Sequence, residues 1–168
     1  AGSFFYNHKT NIFIPTLENI FNFCKKHKIG INIELKPNQG FEIDNVKAIS
    51  KIVNKYKNFN RFYFSSFNLK SLVEMKKIFP DFHYGLLVDN FENNYSLEEY
   101  LKICKNYKFF NFGLNKKLIN SEIINKIKKN NLIITTYGDN NIELIEANDL
   151  WNLGITSIFI DDPSSFEL

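Results

Sequence analysis

From end to end the chain alternates between short β-rich runs and amphipathic helical patterns, and this limits its fold more than any other feature. The runs are GINIEL, RFYFSSF, HYGLLVD, FFNFGLN, LIITTY and SIFIDD. Between them lie NVKAISKIVNKYK, NLKSLVEMKKIF, SLEEYLKICKNY, SEIINKIKKN and IELIEANDLWNLG. In the first of these, Val46, Ile49, Ile52 and Val53 fall at helical spacing, with Lys47, Lys51 and Lys55 on the opposite side. An earlier helix, PTLENIFNFCKKHK, is expected to begin with Pro15 in its first turn and to align Leu17, Ile20, Phe21 and Cys24. Ser71, Ser96 and Ser121 precede or open later helices, and Ser96 followed by Glu99 has the spacing of a capping box. Strands and helices alternating through short links predict parallel strands joined by right-handed crossovers. A mean repeat of about 25 residues suits an α/β fold of either the barrel or the doubly wound kind. About six β/α units stand where a closed TIM (β/α)8 barrel takes eight. The chain therefore reads as a six-stranded open sheet or as a barrel with two strands missing.

Residues 1–14, AGSFFYNHKTNIFI, fit neither pattern and read as the tail of a loop or insertion. Residues 15–168 contain no linker and read as one domain. No glycine-rich GxGxxG or GxxxxGK turn follows any strand, which argues against a dinucleotide or P-loop site. A hydrophobic content of 44% allows a sizeable core. The net charge of +3 is small, and no zinc-finger spacing or basic arm announces a nucleic-acid partner. The 25 asparagines are scattered among periodic apolar residues, as the codon bias of an AT-rich genome would leave them. Cys24 and Cys104 belong to no CxxC pair and are expected to be buried thiols of a reducing, cytoplasmic compartment. No apolar run approaches the ~20 residues of a membrane span. The first residue is Ala1, so the lack of a visible signal peptide carries no weight.

Chemistry concentrates in IGINIELKPNQ. Period-two alternation puts Ile31, Ile33 and Leu35 on one face, and Asn32, Glu34 and Lys36 on the other. In a parallel α/β array both faces of the sheet are covered, so Glu34 and Lys36 are expected to need partners or a ligand. Pro37 ends the strand and places both at its C-terminal end, where such folds assemble their sites. Glu34 could serve a hard divalent cation, and Lys36 could neutralise a phosphate oxygen. A plain internal Glu34–Lys36 ion pair remains the alternative. Ser65, Ser66, Phe67, Asp89, Asn115, Tyr137, Asp139 and Asp161 close other strands, where capping and turn formation account for most. His8, His27 and His83 all lie away from the strand C-terminal ends.

With these residues in hand, the chain resembles the glycerophosphodiester phosphodiesterase family, in its bacterial cytosolic form. IPTLENIFNFCKKHKIGINIELKP is similar to the family's P-x-L-x-x-V … N-I-E-I-K-P segment, FSSFNLKSLVEMKKIFPDFHYGLLVD to its SSF … L … P … G-x-L segment, and LWNLGITSIFIDDP to its closing L … G-V-D-x-I-x-T-D-x-P. AGSFF resembles the end of a small insertion after the family's second strand. The resemblance implies a TIM barrel that hydrolyses glycerophosphodiesters to an alcohol and glycerol 3-phosphate, in lipid and glycerol metabolism, with magnesium or calcium as cofactor. It places Glu34 on a metal-ligating carboxylate and Lys36 on a phosphate-contacting lysine, and puts Ser66, Phe67, Thr135 and Tyr137 near the substrate pocket. On this resemblance the family's His-Arg-Gly, Glu-Asn-Thr, Glu-x-Asp metal pair and His-Asp would all precede Ala1, and Thr135 and Ile160 depart from its later motifs. The expectation is thus a C-terminal portion lacking strands one and two, inactive alone because its catalytic histidines lie upstream of Ala1. A non-catalytic phospholigand-binding or degenerate barrel protein is the alternative.

Overall fold

The computed structural model of the chain describes residues 13–91 and 95–166. His8 and all but residues 13–14 of the segment read as an insertion tail lie outside the described residues. Six strands form one sheet in the order β1-β2-β3-β4-β5-β6, every neighbouring pair parallel. They are β1 (Ile31–Glu34), β2 (Phe62–Ser66), β3 (Tyr84–Val88), β4 (Asn111–Asn115), β5 (Ile133–Tyr137) and β6 (Ser157–Ile158). Helices α1 (Leu17–His27), α2 (Glu42–Lys55), α3 (Leu69–Ile78), α4 (Leu97–Tyr107), α5 (Ser121–Lys128) and α6 (Leu144–Leu153) alternate with them. A doubly wound sheet reverses its strand order partway, whereas this order is strictly sequential. The sheet is a curled half-barrel, an incomplete TIM barrel whose described edges are β1 and β6.

The helix starts follow local polar chemistry more closely than the serine pattern suggested. Pro15 stands outside α1, because Thr16 is the cap. Its hydroxyl accepts from the Asn19 amide at 3.1 Å, and the Asn19 side chain accepts from the Thr16 amide at 3.0 Å, a reciprocal capping box. Ser96 and Glu99 form the same device on α4. Ser71 lies inside α3 and Ser121 is the first residue of α5; the caps are Asn68 and Asn120, each accepting a backbone amide at 2.9 Å. Some of the abundant asparagine thus terminates helices. Strand β6 is shorter than its SIFIDD run suggested, since ladder pairing with β5 covers only Ser157 and Ile158.

One face of the sheet and the inner stripes of the helices form the core. Phe64, Tyr84, Leu86, Phe112, Leu114 and Ile134 on the strands are almost completely buried, as are Phe21, Val46, Val53, Leu72 and Met75 on the helices. An aromatic cluster dominates the β1–β3 half: Phe64 stacks on Tyr84 at 5.4 Å and meets Phe62 edge-on at 5.7 Å and Phe82 at 6.2 Å. The Tyr84 hydroxyl, forced inside with its ring, donates to the Phe79 carbonyl at 2.7 Å. Both cysteines are buried free thiols, and burial pushes the Cys104 pKa up to about 12. No described helix is long and apolar enough to cross a membrane.

Phe64 is wholly buried with rings on several sides, so Phe64→Ala should destabilise the protein by about 3–5 kcal/mol, read from urea unfolding. A loss below about 1 kcal/mol would mean that the cluster collapses around the cavity or is not the core's centre.

Candidate active site

The parallel register carries the alternation of β1 across the whole sheet. Glu34 lies opposite Ser65 and Ser65 opposite Gly85, while Leu87, Gly113 and Thr135 form one row and Asn115 and Tyr137 another. All lie on the face away from the aromatic cluster, which is the concave face of the half-barrel. Gly113 is required there: a Cβ would collide with the Leu87 side chain and stand 2.9 Å from Thr135 Oγ1. Ser65 is fully buried, and its hydroxyl has no hydrogen-bond partner among the described residues.

At the C-terminal ends of these strands the concave face opens into a cavity of about 350 Å³. Its charged lining is Glu34, Lys36 and Asp139; its apolar wall is Phe67, Leu87, Tyr137 and Phe159. Lys36 lies just past β1, and the ladder continues to it through Leu35, whose amide donates to the Ser65 carbonyl at 2.7 Å. Glu34 and Lys36 do not pair with each other, and neither makes an ion pair or hydrogen bond with another described residue. Both are exposed. The expectation that burial compels them to find partners therefore does not hold for the described residues, because at the end of the described edge strand β1 both side chains reach water, whereas Ser65 and Thr135 further along the same face are buried.

Of the four residues placed near the pocket, Phe67 and Tyr137 line it, meeting edge to face at 5.5 Å. Ser66 is fully buried on the helix side, its hydroxyl donating to the Leu35 carbonyl and accepting from the Asn68 amide. Thr135 is buried below the cavity and donates to Asn111 Oδ1 at 3.2 Å. Both hydroxyls are occupied in holding the sheet together.

A polar network absent from the sequence reading backs the cavity and reaches its lining at Tyr137 and Asp139. Asn115, only 2% exposed, donates through its amide nitrogen to Asp89 Oδ1 at 2.9 Å and to Asp139 Oδ1 at 3.1 Å. Its carbonyl oxygen accepts from the Lys117 amide, so it also caps the short helical turn Lys116–Leu118. Lys117 is ion-paired with Asp139. The Tyr137 hydroxyl lies 3.0 Å from the Val88 carbonyl and 3.3 Å from Asp89 Oδ1. Burial, then the charge of Asp89 and its hydrogen bond, and lastly the charges of Glu34 and Asp139, raise the Tyr137 pKa far above its usual value, so the phenol stays neutral. Each residue alone looks like a cap or turn former. Only the juxtaposition of three strand ends reveals the network.

His27 packs on Phe23, and His83 lies at the opposite end of the sheet beside Phe110, so neither lines the cavity. Among the described residues, no three of His, Cys, Asp and Glu come together as a metal-holding group.

A sequentially wound parallel half-barrel with a cavity of mixed polarity at its strand C-terminal ends places the chain among the β/α-barrel proteins. The sequence profile of the glycerophosphoryl diester phosphodiesterase family matches residues 2–165, and the chain belongs to that family. Solved structures of similar fold include an Oleispira antarctica phosphodiesterase in complex with the product sn-glycerol-3-phosphate, with a TM-score of 0.72 and 22% identity over 87% of this chain and 57% of that one. A Silicibacter pomeroyi protein assigned as a glycerophosphoryl diester phosphodiesterase gives a TM-score of 0.80 and 19% identity over 94% of this chain and 56% of that one. A glycerophosphodiester phosphodiesterase from Parabacteroides distasonis gives 0.67 and 21%, over 86% and 58%. The chain thus spans less than 60% of the length of each of these structures. No curated protein sequence matches it significantly.

The Asn115 network gives a pH signature. The hydrogen bond from Lys117, and then that from Asn115, hold the Asp139 carboxyl below its ordinary range. A carboxylate whose folded pKa is lowered adds stability above its unfolded value, about 3.9, and loses it as pH falls through the folded value. Asn115→Ala should therefore be less stable than wild type at pH 7, with the gap narrowing below about pH 4. Urea midpoints at pH 7 and pH 3 measure this, and a gap that widens in acid would remove Asp139 from the explanation.

Proposed function

We propose that the protein acts in hydrolysis of glycerophosphodiesters to an alcohol and glycerol 3-phosphate, with the phosphodiester seated in the Glu34–Lys36 cavity. The observation that carries this is a carboxylate and an ammonium that no described residue pairs, two residues apart at the end of β1, facing an apolar wall across a cavity of about 350 Å³. Family membership supports it, as does the sn-glycerol-3-phosphate complex of the Oleispira antarctica protein.

In this reading Lys36 acts as a point charge on a non-bridging phosphate oxygen and offsets the substrate's negative charge. Phe67, Leu87, Tyr137 and Phe159 shelter the organic part of the ester from water. Tyr137, its hydroxyl held by Val88 and Asp89, keeps its ring fixed against Phe67. Glu34 offers a hard oxygen donor for a divalent cation, magnesium or calcium, which when bound would polarise the phosphoryl group. One free carboxylate is not a cation site. Asp89 and Asp139 are already engaged by Asn115, Tyr137 and Lys117, so the described residues fit a single ligand position and not a complete metal centre. Among the described residues the lining likewise contains no histidine to exchange protons with the ester oxygens.

That last observation favours a second reading, in which the cavity binds a phosphoryl ligand without turning it over. One assay separates the two: release of glycerol 3-phosphate from a glycerophosphodiester, with chelator and with added magnesium or calcium. The diesterase reading expects turnover that chelation removes and metal restores, most of it lost in Glu34→Ala. Lys36→Met should cost roughly 10²–10³-fold in kcat. Wild-type turnover that survives Glu34→Ala would overturn the site assignment. No turnover, together with a rise in melting midpoint on adding glycerol 3-phosphate that Lys36→Met abolishes, would establish the binding reading.

A further inference from the structure

A second concave site lies at the other end of the sheet. Where α4 turns into β4 and α5 turns into β5, a pocket of about 360 Å³ opens between the two neighbouring units. Three lysines line it, Lys105, Lys108 and Lys129, with the side-chain amides of Asn130 and Asn131 beside them. Phe109 and Leu132 give it an apolar floor, and no aspartate or glutamate lines it.

Lysines at helix C-terminal ends are commonly explained by the helix dipole. The dipole favours Lys105 at the end of α4 too, but the end carbonyls are already satisfied by the backbone, so the ammonium groups are not spent on them. The Cys104 carbonyl accepts from the Phe109 amide at 2.9 Å and the Lys105 carbonyl from Lys108 at 3.2 Å. At the end of α5, the Ile127 and Lys128 carbonyls accept from Asn130 and Asn131, both at 2.9 Å. None of the three ammonium groups forms an ion pair or side-chain hydrogen bond with a described residue. The positive field is felt nearby: the pKa of Lys76, whose ammonium lies 4.6 Å from the centre of the Tyr84 ring, is lowered first by burial and then by Lys108.

We propose that this pocket binds a phosphomonoester, its dianionic phosphate among Lys105, Lys108 and Lys129 and its organic part on Phe109 and Leu132. Three point charges can neutralise such a dianion and the Asn131 amide can donate to one of its oxygens, while the Asn130 amide already donates to the Lys126 carbonyl at 2.9 Å. The volume lies near the lower end of those that hold small ligands, which suits a phosphate on a short carbon skeleton. The same headgroup chemistry also occurs on a lipid, as phosphatidic acid. The inference does not depend on the diesterase reading, because no residue is shared with the Glu34–Lys36 cavity.

The test is a titration of the isotope-labelled protein with sn-glycerol 3-phosphate, followed by amide chemical shifts at constant ionic strength. Shifts at Lys105, Lys108, Asn130 and Asn131 are expected, with a dissociation constant at least about tenfold weaker in K105Q/K129Q and unchanged at this locus in K36M. A parallel sedimentation with phosphatidylcholine vesicles containing phosphatidic acid decides the source of the phosphate. Co-sedimentation that K105Q/K129Q abolishes, without shifts from the soluble probe, assigns the ligand to lipid. Shifts confined to the Lys36 cavity, shifts reproduced by sodium chloride, or a constant that the double variant leaves unchanged would overturn the proposal. Wild-type shifts alone locate the site, so the result does not depend on how well the variant folds.

Discussion

Five consecutive parallel pairings hold the six strands in phase, and the placement of every functional group depends on that phase. Phe64 lies opposite Tyr84 in the ladder and stacks on it, while Leu86, Phe112 and Ile134 continue the same layer beneath the helices. Glu34, Leu87, Gly113, Thr135 and Tyr137 are left to the concave face. Side chains alternate with period two, so slipping β1 by one residue would drive the Glu34 carboxylate into the aromatic layer and expose Ile33. Burying an unpaired carboxylate there would be prohibitive. The core thus fixes the site from the opposite face of the same strands.

The crossovers also impose a polarity on the charges. Each helix after a strand starts at that strand's C-terminal end, and acidic residues occupy first turns: Glu42 and Asp44 on α2, Glu98 and Glu99 on α4, Glu122 on α5 and Glu146 on α6. Basic residues occupy last turns: Lys25 and Lys26 on α1, Lys76 and Lys77 on α3, Lys105 on α4 and Lys128 on α5. The helix dipole favours this arrangement at both ends. One consequence is that first-turn carboxylates at the strand C-terminal ends stand paired with lysines, while the last-turn lysines gather at the opposite end. A net charge of +3 conceals this separation.

How much could be read in the sequence depended on whether the governing interaction was local. Helical stripes such as Val46, Ile49, Ile52 and Val53, the Ser96–Glu99 capping box and the alternation around Glu34 and Lys36 are encoded within a few residues, and all were legible. The caps at Thr16, Asn68 and Asn120 were equally local, but were overlooked in favour of Pro15 and nearby serines. The Asp89–Asn115–Asp139 network joins residues 24 and 26 positions apart, so no local pattern could display it. The choice between barrel and doubly wound sheet was likewise undecidable from spacing, because it rests on which strands become neighbours. Ser66 and Thr135 show the limit at the site itself: their place at or near a strand end was legible, but not that Leu35 and Asn111 would take up their hydroxyls.

A rim of paired charges sharpens what Lys36 and Glu34 have to do. A phosphodiester anion approaching the strand C-terminal ends meets Glu42, Glu98 and Glu146, each already bound to a lysine, and Asp139 bound to Lys117. Paired ammoniums contribute little net field, particularly once salt screens the surface. Lys36 is the cation on the cavity lining that no described carboxylate neutralises, and Glu34 is the lining carboxylate that no described lysine neutralises. Had the two paired with each other, as the simplest reading of their spacing allows, the cavity would present no net handle for an anion. Standing apart, they leave one charge for a phosphate oxygen and one oxygen donor for a cation, which together favour an anionic ester where the surrounding pairs contribute little field of either sign.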